Sequence, residues 1–392
     1  MLAPAALAVV LALVGGTAYP DPDAPPIPDA VVVITDGVIS AVGPRETTRV
    51  PAGAETIDCR GAFVTAGFQN SHAHFTEDKW NGAAQQPAAA LTANLEAMLT
   101  RWGVTTVVDT ASFLTNTLAL RRRIDAGEVK GPRILTAGLA LYPPDGIPYY
   151  VREVVPPDLI SLLPQPSTAA QATARVAENL DAGADLVKLF TGSWVAQGRV
   201  LPMPVDVAAA AAAEAHRRGK LVFTHPSNVA GLEVALAAKV DVLAHAIEDT
   251  GGLTDDHLRR MKSQNMALVP TLGLLTGADG RANPDVVAEV GNYARRGGQI
   301  LFGTDVGYLP DYSTARELEL MARAGLGWRE ILASLTVNPA ARFGASTRRG
   351  RIRRGMDGDL VVLARDPAQD VRAFADVRAT IRGGAVLFTS RP

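Results

Sequence analysis

Eight short apolar segments, separated by stretches of helical periodicity, constrain this chain more than any other feature. They are Gly67–Phe75, Thr105–Asp109, Arg133–Ala137, Ala184–Phe190, Lys220–His225, Val240–His245, Met266–Thr271 and Gln299–Asp305. Helical patterns occupy residues 88–101, 118–126, 169–182, 205–218, 231–238, 255–264 and 285–296 between them, and 316–324 and 328–336 follow. A strand, a crossover helix and a parallel strand form the unit of α/β folds. Eight such units over about 240 residues predict a (β/α)8 TIM-like barrel, whose typical size is about 250 residues.

Both chain ends read differently. Residues 9–64 carry a strand at Leu11–Tyr19, a Pro-rich link at 21–28, and the hairpin Val31–Ile34, Asp36-Gly37, Val38–Val42. Short strands at Thr56–Cys59 and Ala62–Val64 complete this part. After residue 345 the style returns, with Asp359–Leu363, Val377–Ile381, the Gly383-Gly384 turn and Ala385–Phe388. The expected organisation is therefore a composite β-sandwich domain from residues 1–64 and 345–392, and a barrel domain over 65–344. The segment 142–167 holds seven prolines and is expected to be a structured cover.

Composition removes several function classes. The formal charge is −2 and no basic run exceeds Arg121-Arg122-Arg123, so nucleic acid has no electrostatic footprint to bind. The single cysteine, Cys59, excludes an intrachain disulfide and any Cys-rich zinc module. Residues 1–20 carry no charged side chain, and Gly15-Gly16 breaks them too early for a stable membrane span. A retained strand in a cytoplasmic protein is the expectation; export with a cleaved or truncated signal peptide is the alternative.

In a barrel, chemistry collects at the C-terminal ends of the strands. Here those ends carry His72 and His74 on the first strand, Lys188 on the fourth, His225 on the fifth, His245 on the sixth and Asp305 on the eighth. His72 and His74, spaced i and i+2, share one strand face with Cα atoms about 6.5–7 Å apart, within reach of one ion. A lysine within Leu-Val-Lys-Leu-Phe has no cheap structural reason, since burying an unpaired ammonium costs several kcal/mol. The remaining histidines, His216 and His257, sit in charged helical segments and are expected to face solvent.

Beyond these residues, Asp36–Gly43, Gly67–His74, Phe302–Asp305, Ser334–Ala340 and Gly355–Leu363 together resemble landmarks of the metal-dependent amidohydrolase superfamily. The narrower resemblance is to the branch of imidazolonepropionase and the prolidase-like Xaa-Pro and Xaa-Arg dipeptidases, which includes ochratoxin-hydrolysing amidases. It covers nearly the whole chain. It implies one divalent ion on His72, His74 and Asp305, a second on His225 and His245, and Lys188 bridging them as a CO2-derived carbamate. Zinc is the expected metal. The implied reaction is hydrolysis of an amide C–N bond in a dipeptide, N-acyl amino acid or similar small amide by metal-activated hydroxide, with Asp305 as general base and acid. The alternatives are a cyclic-amide hydrolase or deaminase with a mononuclear site and, more remotely, a non-catalytic scaffold. The partner is a small-molecule substrate, with homo-oligomerisation left open. Substrate contacts are expected from Tyr142, Trp194 and Tyr308, with Tyr149 and Tyr150 beside them; packing within the cover is the competing role of each.

Overall fold

A computed structural model describes residues 9–277 and 281–390. The first eight residues of the apolar N-terminal stretch, on which the signal-peptide alternative falls, lie outside them. Among the described residues no helix is long and apolar enough to cross a membrane.

The eight expected strands form two parallel sheets. One joins Phe68–Ala73, Val104–Asp109 and Arg133–Thr136 in that order. The other joins Val187–Phe190, Val222–His225, Val242–Ala244, Ala267–Val269 and Gln299–Ile300. The sheet edges meet twice: Leu141 bridges Leu189, and Ala73 bridges Val306. At the second junction the amides of Ser71 and His74 donate to the carbonyls of Phe302 and Val306 at 2.7 and 2.8 Å, and Asp305 N–H donates to the His72 carbonyl at 3.0 Å.

Inside, Val108, Ala137, Leu186, Phe223, Val242, Ala267, Val269 and Leu301 meet in one apolar cluster. The opposite strand faces pack on the helices, as Leu189, Leu243 and Leu268 do against Val207, Ala211, Leu232 and Leu258. Burial on both faces explains why the strands read as continuous apolar runs rather than alternating ones. The helices follow the expected positions within a few residues, from Ala88–Met98 to Trp328–Leu335.

The two chain ends contribute to one eight-stranded mixed sheet. Val10–Ala18 pairs antiparallel with Ile27–Thr35 and parallel with Glu55–Asp58 and Phe63–Ala66. Phe63–Ala66 then pairs antiparallel with Leu360–Leu363, which brings in the C-terminal strands. The chain leaves this sheet directly into the first parallel strand, with Gly67 N–H on the Asp359 carbonyl at 2.8 Å.

Two elements near the site were not expected. A hairpin, Gly192–Ala196 with Arg199–Pro202, follows the fourth strand. The Pro-rich cover contains two short helices, Tyr149–Val154 and Pro157–Ile160.

Gly307 closes the turn after Asp305 with φ +98°, and a Cβ there would stand 1.9 Å from the His74 carbonyl oxygen. Gly307→Ala combines left-handed strain with overpacking against the first strand, each costing about 1–3 kcal/mol. A loss of about 3 kcal/mol in chemical denaturation is expected, and a loss below about 0.5 kcal/mol would contradict this placement.

Candidate active site

Strand register brings the predicted residues together. Lys188 and Phe190 lie opposite Phe223 and His225, so these four side chains share the inner face of neighbouring strands. Leu189 and Thr224 point the other way. His72, Lys188, His225, His245 and Asp305 are all buried, and His74 is 14% exposed at its side chain.

His74 Nε2 lies 2.8 Å and His72 Nε2 3.2 Å from Asp305 Oδ1, and the two imidazole nitrogens are 3.3 Å apart. Ligating atoms of these three residues all fall within 4.8 Å of one another, a grouping of metal-ligand size. His74 Nδ1–H donates to the Ala111 carbonyl at 2.9 Å. In the neutral ring, Nε2 is then a lone pair facing a carboxylate oxygen, and two electron-rich atoms this close are reconciled by a proton or a metal ion between them. Asp305 Oδ1 and His72 Nδ1 are buried without a hydrogen-bond partner. The trio therefore fits a divalent ion, and its N/O donor set suits zinc among others.

The other two histidines continue the cluster. The His72 and His245 ring centroids are 4.5 Å apart, as are those of His245 and His225. Thr271 Oγ1 lies 2.7 Å from His245 Nδ1, and the Phe190 ring stacks on His225 at 4.8 Å.

Electrostatics follow from burial and crowding. Burial, then the Lys188 charge, lowers His72 to about 3. Burial also holds His245 well below the ordinary imidazole value, helped by His72 and His225. For His74, burial lowers the value, but the close Asp305 carboxylate and the Asp109 charge outweigh it, and the net shift is upward. Asp305 is held well below the usual carboxylate range because His72 and His74 outweigh its burial. Burial lowers Lys188 to about 7, against the pull of Asp305.

Left-handed backbone recurs at the rim: His245, Thr271 and Asp305 have φ of +94°, +43° and +59°. Asp tolerates this region, whereas a histidine at +94° is unusual. Such strain persists where surrounding contacts impose it. Here the amides of His245, Ala246 and Ile247 are tied down, donating to the Val269 carbonyl, the Pro270 carbonyl and the Glu289 carboxylate in turn.

Of the substrate-contact candidates, Tyr142 is buried in the cover against Phe190, ring centroids 4.6 Å apart. Trp194 lies half-buried on the unexpected hairpin, and Tyr308 is 47% exposed, touching Tyr150. His216 is exposed, as expected, and paired with Asp241 at 2.8 Å. His257 is not solvent-facing: its side chain is 12% exposed, with Nδ1 capping its helix at Thr254 and Nε2 on Glu233 at 2.9 Å. The capping need outweighs the charged neighbourhood.

Sequence reading passed over Asp109, which closes the second apolar strand just as the ligand candidates close theirs. Its carboxylate accepts from Ser112 at 2.6 Å, Thr117 at 3.0 Å and Thr136 at 2.8 Å. Ser112 in turn accepts Phe75 N–H at 2.9 Å, so Asp109 braces the segment that carries His74.

A model of the amidohydrolase family matches residues 63–387. The chain belongs to the amidohydrolase family. Members generally use divalent metals and share a TIM-barrel-like α/β fold. An uncharacterised protein of Mycobacterium tuberculosis is 30% identical to this amidohydrolase over 370 residues, covering 88% of this chain and 89% of that one. A solved structure of a putative prolidase from Bifidobacterium longum superposes with a TM-score of 0.80 at 28% identity, covering 96% of this chain and 94% of the other. The structure of a Xaa-Pro dipeptidase with bound methionine reaches 0.81 at 20% identity, covering 97% and 100%, a likeness of fold. Family and neighbours support an amide-hydrolysing enzyme acting on a small molecule.

Proposed function

We propose that this amidohydrolase cleaves an amide C–N bond in a dipeptide, N-acyl amino acid or similar small amide. The observation that carries this is the convergence of His72, His74 and Asp305 on one point, with a buried Asp305 oxygen that no hydrogen bond satisfies. In this reading the eight parallel strands of residues 65–344 are a closed barrel. The chain ends, 1–64 and 345–392, form a small β-sandwich domain against it.

His72, His74 and Asp305 would hold one zinc ion, His225 and His245 would hold a second, and Lys188, once carbamylated, would supply oxygen donors between the two groups. Bound zinc supplies Lewis acidity towards a carbonyl and lowers the pKa of water towards about 7. The Asp305 carboxylate takes the proton of the attacking water and delivers it to the leaving nitrogen as the C–N bond breaks. Lys188, lowered to about 7, is in good part a neutral amine at physiological pH, the form that attacks CO2. Attack of that amine on CO2 forms an N–C bond, releases one proton and leaves an anion with oxygen donors in place of the buried lysine. Tyr142, Trp194 and Tyr308 border the substrate. A homo-oligomer in the cytoplasm is the setting consistent with this reading.

A second reading, a mononuclear cyclic-amide hydrolase or deaminase, draws on the same trio. Among the described residues it is the one grouping of three or more His, Cys, Asp or Glu side chains of ligand spacing.

The test is metal content with a hydrolysis screen over dipeptides, N-acyl amino acids and lactams. Fewer than one tightly held divalent ion per chain, or no amide cleaved, sinks the proposal. Lys188→Ala is expected to lose one of two ions and a carbamate carbon signal seen with 13C-labelled bicarbonate. Unchanged stoichiometry and activity in that variant remove the carbamate bridge, and one ion per chain in the wild type favours the mononuclear reading.

A further inference from the structure

The loop after the sixth strand carries a carboxylate that the metal reading leaves unused. Glu248 lies three residues beyond His245. Its Oε2 accepts the Trp194 indole N–H at 2.7 Å, and its Oε1 lies 2.8 Å from His225 Nε2. His225 Nε2 is buried and has no aligned hydrogen-bond partner, so the Glu248 contact does not satisfy it. The Glu248 side chain is 24% exposed, which places it at the wet edge of the cluster. The Trp194 indole fixes one oxygen and leaves the other towards the site.

Three tyrosines, two from the cover and one from the turn after Asp305, touch in series. Tyr149 touches Tyr150 with ring centroids 5.5 Å apart, and Tyr150 touches Tyr308 at 5.9 Å. Burial raises both Tyr150 and Tyr308, and the next cause is the Glu248 charge for Tyr150 and the Asp305 charge for Tyr308. The cover's arginine, Arg152, donates to the Val195 carbonyl at 2.6 Å instead of offsetting them. Carboxylate and aromatic faces together are the recognition chemistry for an organic cation.

Reach agrees with this. In an amino-acyl group the amine nitrogen is two bonds, about 2.5 Å, from its carbonyl carbon. An ammonium held on Glu248 Oε1, beside His225, therefore presents its own carbonyl to the histidine cluster.

We propose that Glu248, steadied by Trp194, binds the free ammonium group of the substrate's acyl portion, so that the enzyme acts on amino-acyl amides rather than N-acylated ones. This rests on the amide-hydrolase reading above.

The test compares matched pairs on the metal-loaded full chain: an alanyl dipeptide against its N-acetyl counterpart, over several leaving amino acids. Wild type is expected to favour the free-amine member. Glu248→Gln is expected to reduce the ratio of kcat/KM for free-amine over N-acetyl substrate by about 10–100-fold, mainly through KM, with metal content unchanged. Trp194→Phe, which keeps the carboxylate but frees its second oxygen, is expected to reduce that ratio by a smaller factor and guards against a folding artefact in Glu248→Gln. An unchanged ratio, a wild-type preference for N-acetyl substrates, or loss of metal in Glu248→Gln overturns the proposal while the amide-hydrolase reading stands. If neither member of any pair is cleaved, that underlying reading has failed and this one falls with it.

Discussion

Asp305→Asn should lower kcat/KM for whichever amide the enzyme cleaves by about 10⁴-fold, or about 5.5 kcal/mol of transition-state stabilisation. The substitution preserves shape and removes the anion, and the anion is what the geometry uses. Oδ1 faces both His74 Nε2 and His72 Nε2, at 2.8 and 3.2 Å. Asparagine can direct its oxygen at the same point but offers neither the charge that holds an ion nor a proton acceptor for attacking water. Ion content should fall as well. The raised value of His74, which burial opposes and Asp305 sustains, should drop in an NMR titration of the metal-free protein. Activity within tenfold of wild type would remove Asp305 from the chemistry.

A second large effect concerns stability and pH. Burial raises the Glu289 carboxyl to about 8 and the Glu317 carboxyl to about 7. Glu289 Oε2 accepts Ile247 N–H at 2.9 Å, Glu317 Oε2 accepts Gly273 N–H at 2.7 Å, and the other oxygen of each is buried without a partner. Between the unfolded value near 4.5 and the folded value, the native state keeps a proton that the unfolded chain has lost. Stability from each group is thus fully present below about pH 4.5 and declines as pH rises through the folded value, by about 1.4 kcal/mol per unit. Glu289→Gln keeps a neutral side chain at every pH. Relative to wild type, the variant should gain several kcal/mol between pH 5 and pH 8, read from denaturant midpoints. Parallel stability curves for the two proteins would show that Glu289 is ionised in the fold throughout.

The parallel strands and the buried residues at their ends were legible because burial on both faces left apolar runs in which a lysine, histidine or aspartate at the end stood out. Asp109 offered the same signal and was missed for lack of a recognised partner. Glu289 and Glu317 left no such signal. Each sits on an amphipathic helix where an acid reads as solvent-facing, and only the loops packed above show that these two point inwards. Glu248 within His-Ala-Ile-Glu-Asp looked like ordinary loop polarity, because its partner Trp194 is more than fifty residues away. His257 was misread for the converse reason, since its charged neighbours hid a capping role. The left-handed turn at His245 cannot be read from residue type, because histidine seldom adopts it.

The joint between Gly67 and Asp359 bears on how the protein is made. The strand that leads into His72 is anchored to a segment synthesised roughly 290 residues later. Arg133, at the start of the third parallel strand, likewise pairs with Asp357 and Asp359. At about 5–20 residues per second, the ribosome needs roughly 15–60 s to supply those partners. During that interval Val10–Ala18 can pair with Ile27–Thr35, Glu55–Asp58 and Phe63–Ala66, whereas the far edge of Phe63–Ala66 stays open until Leu360–Leu363 is made. A truncation that removes only the last few dozen residues therefore uncovers one edge of Phe63–Ala66, the strand that runs straight into the segment carrying His72 and His74.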